Sequence, residues 1–85
     1  MKMLNSVLLE GVVVDTPVQN GTTCTIFHLE DRDEEENNTF EIRTYGTQAA
    51  RLSKGQTCRI VGHARQTANE AWFVAEIIEL QPKKD

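Results

Sequence analysis

Residues 39–65 decide the fold: TFEIRTYG, then TQAARLSKG, then QTCRIVGHAR. Over Thr39–Tyr45, Phe40, Ile42 and Thr44 alternate with Glu41, Arg43 and Tyr45. Strict alternation over this length predicts a strand with two unlike faces. Thr47–Leu52 holds two Ala, an Arg and a Leu, all good helix formers, and predicts a short helix. Lys54 followed by Gly55 reads as that helix's stop, a cation and then a glycine. Thr57–Arg65 alternates again, Cys58, Ile60, Gly62 and Ala64 against Arg59, Val61, His63 and Arg65. Two strands joined across a helix, each with cations on its outer face, form the expected centre of the molecule.

Working outward, Leu4–Val14 is rich in Val and Leu and predicts a first strand. Gly11 inside it suggests a bulge or a corner, as small barrels need where one strand serves two sheets. Asp15-Thr16-Pro17 ends this strand, and Gln19-Asn20-Gly21 reads as a turn. Thr22–Glu30 is a second strand, with Phe27 and Leu29 inward and His28 outward. Residues 30–38 are an acidic loop without periodicity. Gln66–Glu70 is a hairpin loop, and Ala71–Leu80 (AWFVAEIIEL) a last strand, although its Ala, Glu and Leu also suit a helix. Residues 82–85 are a short polar tail. The expected fold is all-β: one domain over 1–85, an OB-fold, a five-stranded Greek-key barrel with one short helix between strands three and four.

At 85 residues the chain is one small domain with a modest core. It holds no apolar run long enough for a membrane helix, and its opening residues make a poor signal peptide. A cytoplasmic protein is expected, and its two cysteines, Cys24 and Cys58, are expected as reduced, small apolar residues. The formal charge is −4. Residues 30–36 (EDRDEEE) carry six acids and one Arg; residues 39–69 carry five basic residues and one acid. A basic surface beside an acidic loop is the expectation.

Several stretches then resemble known proteins. Leu4-Asn5-Ser6-Val7-Leu8-Leu9-Glu10-Gly11 followed by Asp15-Thr16-Pro17 resembles the opening of bacterial single-stranded DNA-binding (SSB) proteins. Tyr45-Gly46 with Ala49, Lys54-Gly55, and Ile60-Val61-Gly62 with Arg65 are similar to their third and fourth strands. Phe27-His28-Leu29-Glu30-Asp31-Arg32 and Val74–Leu80 are similar to the relative PriB, the primosomal replication protein, and an ending at Asp85 without a long acidic-tipped tail suits PriB better. The resemblance implies a single-stranded DNA-binding protein of replication, repair or recombination. It also implies a homodimer or homotetramer and replication or primosome proteins as partners. Thr39 stands where an SSB tryptophan is usual, and the loop after strand two is acidic, so weaker affinity than in a typical relative is implied.

Single-strand binding needs cations for phosphates and aromatic faces for bases. The candidate contacts are Arg43 and Tyr45 on strand three, Arg59, His63 and Arg65 on strand four, Trp72 after the hairpin, and Lys54. Each has an ordinary alternative. Tyr45 can be a half-buried strand aromatic, Arg59 and Arg65 a solvated face, Trp72 a core or dimer-interface residue, and Lys54 a helix cap. Phe27, Phe40 and Phe73 are expected in the core. Cys24-x3-His28 and Cys58-x4-His63 look superficially like zinc pairs, but residues four apart on a strand lie roughly 13 Å from each other, too far to share an ion. No metal, cofactor or catalytic motif is expected, and the chain reads as a binding protein rather than an enzyme. DNA and RNA are not distinguished at this level. The competing reading is an OB-fold protein-interaction module that uses the acidic segment 30–36.

Overall fold

The computed structural model describes residues 5–21, 23–32 and 36–81. Its strands are β1 (Val7–Val13), β2 (Val18–Asn20), β3 (Cys24–Arg32), β4 (Asn37–Tyr45), β5 (Thr57–Gln66) and β6 (Ala71–Leu80). They lie in the order β1-β5-β6-β4-β3-β2, and β1 also pairs with β3, closing five strands into a barrel. All pairings are antiparallel except β4 with β6, which run parallel over Ile42–Thr44 and Phe73–Ala75. This is the expected OB-fold, with β2 as an additional short strand.

Alternation places the core. Phe27, Leu29, Ile42, Cys58 and Ile60 are at most 1% exposed, and Val13, Ala49, Leu52 and Ala75 join them. Phe40 and Phe73 meet edge to face at 5.4 Å on the rim of this cluster. The one buried polar side chain among the described residues, Thr44, donates its hydroxyl to the Ala75 carbonyl at 3.3 Å. Both parities read from residues 39–65 hold, as does the inward pointing of Phe27 and Leu29. Ala71–Leu80 is a strand, not a helix.

Closure rests on two backbone contacts. β1 pairs with β5 from Val7 to Val12, then with β3 at Val12 and Val13. Where it changes partner, a Cβ on Gly11 would lie 2.4 Å from the Glu30 carbonyl oxygen. On the other side, Val61 pairs with Ile77 but Gly62 with Ala75, so Glu76 is an extra residue, a β-bulge. A Cβ on Gly62 would fall 1.7 Å from the Val74 carbonyl oxygen. Backbone cannot retreat as a side-chain tip can, so both positions require glycine.

Four expectations need correction. The helix at Thr47–Leu52 is a single 3-10 turn, Gln48–Arg51. Thr47 makes no side-chain cap, and Leu52 is already extended because its side chain drops into the core. The i to i+3 geometry of such a turn stacks Ala49 above Leu52, and both are buried. Gly55 is therefore not a helix stop. It adopts φ +92° in a turn closed by Gln56 N–H donating to Ser53 C=O at 3.1 Å, and its own N–H donates to Val13. Gln19 and Asn20 belong to β2 rather than to a turn, because Val18–Asn20 pairs with Ile26–Cys24. Finally, the acidic stretch 30–38 is mostly ladder: Glu30, Asp31 and Arg32 pair with Thr39, Asn38 and Asn37. Residues 33–35, Leu4, Thr22 and the tail 82–85 lie outside the described residues.

Gly62→Ala is expected to lower stability by roughly 2–4 kcal/mol, seen as a lower urea midpoint with an unchanged m-value. Cys58 gives a pH signature. Burial pushes its thiol from 9.0 up to about 11. A raised folded-state pKa contributes stability that is complete below the unfolded value and is lost as pH climbs through the folded one. Between pH 9 and 11 the wild type should therefore lose about 2–3 kcal/mol more than Cys58→Ala, the equivalent of that shift. Parallel slopes for the two proteins would refute this.

Candidate nucleic-acid interface

Strand β6 lies between β4 and β5, so its outer face is flanked by both. Trp72 stands opposite Arg65 in the β5 register, and Val74 stands opposite His63 on β5 and Arg43 on β4. Arg43 reaches back over Trp72, its guanidinium carbon 4.0 Å from the ring centroid. At that distance the ring quadrupole attracts the cation. Arg43, His63, Arg65 and Trp72 thus form one cluster, drawn from three strands. Val74 points outward yet is 8% exposed, because Arg43 and His63 flank it in the register.

Tyr45 follows Arg43 on the same face, roughly 7 Å along the strand, and is exposed. Arg59 sits on the outer face of β5 but four residues from His63, beyond the bulge, about 13 Å away. It belongs to a different row, Glu10–Arg59–Glu79. Lys54 lies in the turn before β5, at the end of that strand opposite Arg65. Arg59 and Lys54 are therefore outside the cluster, contrary to the grouping expected from the sequence.

The expected basic surface is also corrected. Arg43 Nε donates to Glu41 Oε2 at 2.7 Å, and its Nη2 lies 3.6 Å from Glu70. Desolvation lowers the Arg43 pKa, but the hydrogen bond and charge of Glu41, with the charge of Glu70, outweigh it and raise the pKa above its ordinary value. Arg43 is a fixed cation with its charge already countered. Arg59 donates through Nε and Nη2 to Glu10 Oε2 at 3.1 and 2.9 Å. His63 Nδ1 lies 3.1 Å from Glu76, the bulge residue. Of the three basic residues in the cluster, Arg65 alone has no ion pair among the described residues. Glu10, Glu70 and Glu76 come from outside the 39–69 window, so a count along the chain missed them. Cys58 points into the core while His63 faces Glu76 outside, the opposite faces that the alternation of β5 gives them. His28 pairs with Asp15, both its backbone N–H at 2.8 Å and its ring Nδ1 at 2.6 Å.

Beside the cluster is a cleft that sequence reasoning did not find. β4 and β6 pair only from Ile42 and Phe73 onward, so the start of β4 and the β5–β6 hairpin diverge below that point. The cleft between them has a volume of about 340 Å³ and is lined by Thr39, Phe40, Glu41, Arg65, Trp72 and Phe73, among others. The hairpin wall is held by a four-residue turn. Thr67 N–H donates to Glu70 C=O at 2.8 Å, and the Thr67 hydroxyl accepts from the Glu70 N–H at 3.1 Å. An aromatic wall, a cation at the rim and an open mouth are what an unpaired base with its phosphate requires.

No family model matches the chain, and no curated protein matches it. Solved structures do. The N-terminal domain of PriB from Thermoanaerobacter tencongensis, described as dimeric, is 22% identical with a TM-score of 0.79, over 93% of this chain and 98% of that one. A small single-stranded DNA-binding protein from Mycoplasma pneumoniae is 23% identical with a TM-score of 0.71, over 98% and 99%. The Plasmodium falciparum SSB, solved with single-stranded DNA, is 19% identical with a TM-score of 0.71, over 96% and 98%. Over its described residues the chain has the OB-fold of these structures.

Proposed function

We propose that this chain binds single-stranded nucleic acid, in the manner of the SSB and PriB structures it is similar to, and serves DNA replication, repair or recombination. The observation that carries this reading is the convergence of Trp72, Arg43, Arg65 and His63 on one face of an OB barrel, beside an aromatic cleft that Trp72 and Arg65 line. Base stacking on an aromatic ring contributes about 1–3 kcal/mol and accepts any base. Tyr45, exposed on the same face, extends the path toward β3. The role is binding rather than catalysis, in the cytoplasm, with replication or primosome proteins as partners. Among the described residues no helix is long and apolar enough to cross a membrane.

Self-association is part of the proposal. Leu8, Val61 and Ile77 form a row across β1, β5 and β6, with Leu8 65% and Ile77 52% exposed. From Val7 to Gly11 the ladder of β1 is with β5 alone. An unpaired edge next to an exposed apolar row supports pairing with a second copy.

Two measurements test the reading. Titration with oligo-dT at low salt should give a dissociation constant of roughly micromolar order, and log affinity should fall with log salt with a slope of only about −1 to −2, since Arg43 in the cluster is already countered by Glu41 and Glu70. Arg65→Ala should weaken binding by about tenfold, the loss of one well-placed charged contact, whereas Arg59→Ala should bind like the wild type. No binding at low salt would sink the proposal and favour a protein-interaction module that uses 30–36. Solution mass should show a dimer or tetramer, and Leu8→Glu with Ile77→Glu should reduce it toward the monomer. A wild-type monomer at high concentration would remove the self-association.

A further inference from the structure

The cleft contains one group that binding of phosphate does not call for, the carboxylate of Glu41. Its Oε2 is held by Arg43 Nε at 2.7 Å. Its Oε1 has no hydrogen bond among the described residues, and its side chain is 31% exposed. An ionised carboxylate accepts only, and its two oxygens offer about four acceptor sites. Arg43 uses one of them and also fixes the group in place, because its guanidinium rests on Trp72. Arg43 offsets the charge of this carboxylate through Oε2, and what Oε1 can still take is a donor on the ligand.

The bases differ in what they can donate. On an unpaired strand the Watson–Crick edge is open to a protein. Cytosine and adenine present an exocyclic amino group there, and guanine an amino group beside a ring N–H; a carboxylate accepting from the cytosine amine is an established pairing. Thymine offers a single ring N–H flanked by two carbonyl oxygens, which repel a carboxylate. We propose that Glu41 selects amino-bearing bases over thymine at the nucleotide stacked on Trp72. The chain then tolerates any sequence along most of its path and is biased at one position. This inference rests on the single-strand reading above.

The experiment compares equal-length dC, dA and dT oligomers at low salt, reading the emission of Trp72, the only tryptophan in the chain. The wild type should bind dC and dA about fivefold more tightly than dT, the lower end of what one good base-edge pair gives. Glu41→Gln keeps the size but turns one acceptor into a donor. Its dT affinity should rise and the preference should disappear. Glu41→Asp, which withdraws the carboxylate, should also lose the preference and serves if the amide variant folds poorly by circular dichroism. Glu70→Gln removes the same charge from outside the cleft lining, so it should raise all affinities together and leave the dC-to-dT ratio unchanged. Equal binding of the three oligomers by the wild type overturns the role of Glu41 while single-strand binding stands. A ratio moved as much by Glu70→Gln as by Glu41→Gln reduces the role to net charge and overturns it as well. Failure of the wild type to bind any oligomer removes the functional reading itself.

Discussion

At Gly62 the β5 backbone lies against the Val74 carbonyl with no room for even a methyl group. The rest of the architecture depends on that contact. It sits beside the Glu76 bulge, and the bulge shifts the register so that Ala75 faces Gly62 while Ile77 faces Val61. Without the shift, the inward set of β6 would fall on opposite faces in its two halves, since a slip of one residue exchanges the faces of a strand. With it, Phe73 and Ala75 point inward before the bulge and Ile78 after it. The first half of β6 can then pair in parallel with β4, which brings Trp72 beneath Arg43. The same local irregularity therefore closes the barrel, fills the core and assembles the candidate site.

The site is built from opposed charges. Arg43 with Glu41 and Glu70, Arg59 with Glu10, and His63 with Glu76 leave little unbalanced positive charge on the outer faces. These pairs are partly exposed, where each contributes at most about 1 kcal/mol to stability. Their larger effect is on position. A lone Arg on a strand samples many rotamers, whereas Arg43 is held by a carboxylate at its Nε and an indole beneath its plane. The surface is weak as an electrostatic attractor of phosphate and well ordered as a geometric one.

Much of the fold was legible because it follows from alternation. The inward positions of β3, β4 and β5 are written every second residue, and Gly11 announced the corner of β1 by being a glycine inside an apolar run. What stayed hidden depends on partners distant in sequence. Nothing in GHARQ or AWFVAEII says that Glu76 will be an extra residue, because a bulge is a property of two strands together. The short helix was misread for a related reason. Thr47–Leu52 has helix-forming residues, but the barrel leaves space for one turn and then draws Leu52 inward. The acidic stretch looked like loop because polarity was read as irregularity, although Glu30–Arg32 simply continues the ladder of β3. For the site, seven cations and aromatics are readable as candidates from the sequence, yet only register separates Arg43, His63, Arg65 and Trp72 from Arg59 and Lys54. Glu10, Glu70 and Glu76 were invisible as partners until β1, the hairpin and the bulge were placed.

The acidic balance of the chain, −4 overall and carried by residues 30–36, does not contradict this arrangement. A binding face that gains its affinity from loose cations attracts any polyanion and loses hold steeply with salt. A face whose cations are countered loses that reach, and on the proposed reading it depends on what touches at short range: the ring of Trp72, the guanidinium of Arg65, which has no ion pair among the described residues, and whatever edge a base turns toward Glu41. Stacking and hydrogen bonding at a desolvated cleft are screened less by salt than exposed charges are. On that reading, countering the arginines exchanges long-range attraction for contact-range discrimination, and the carboxylate that weakens the first is the group proposed to supply the second.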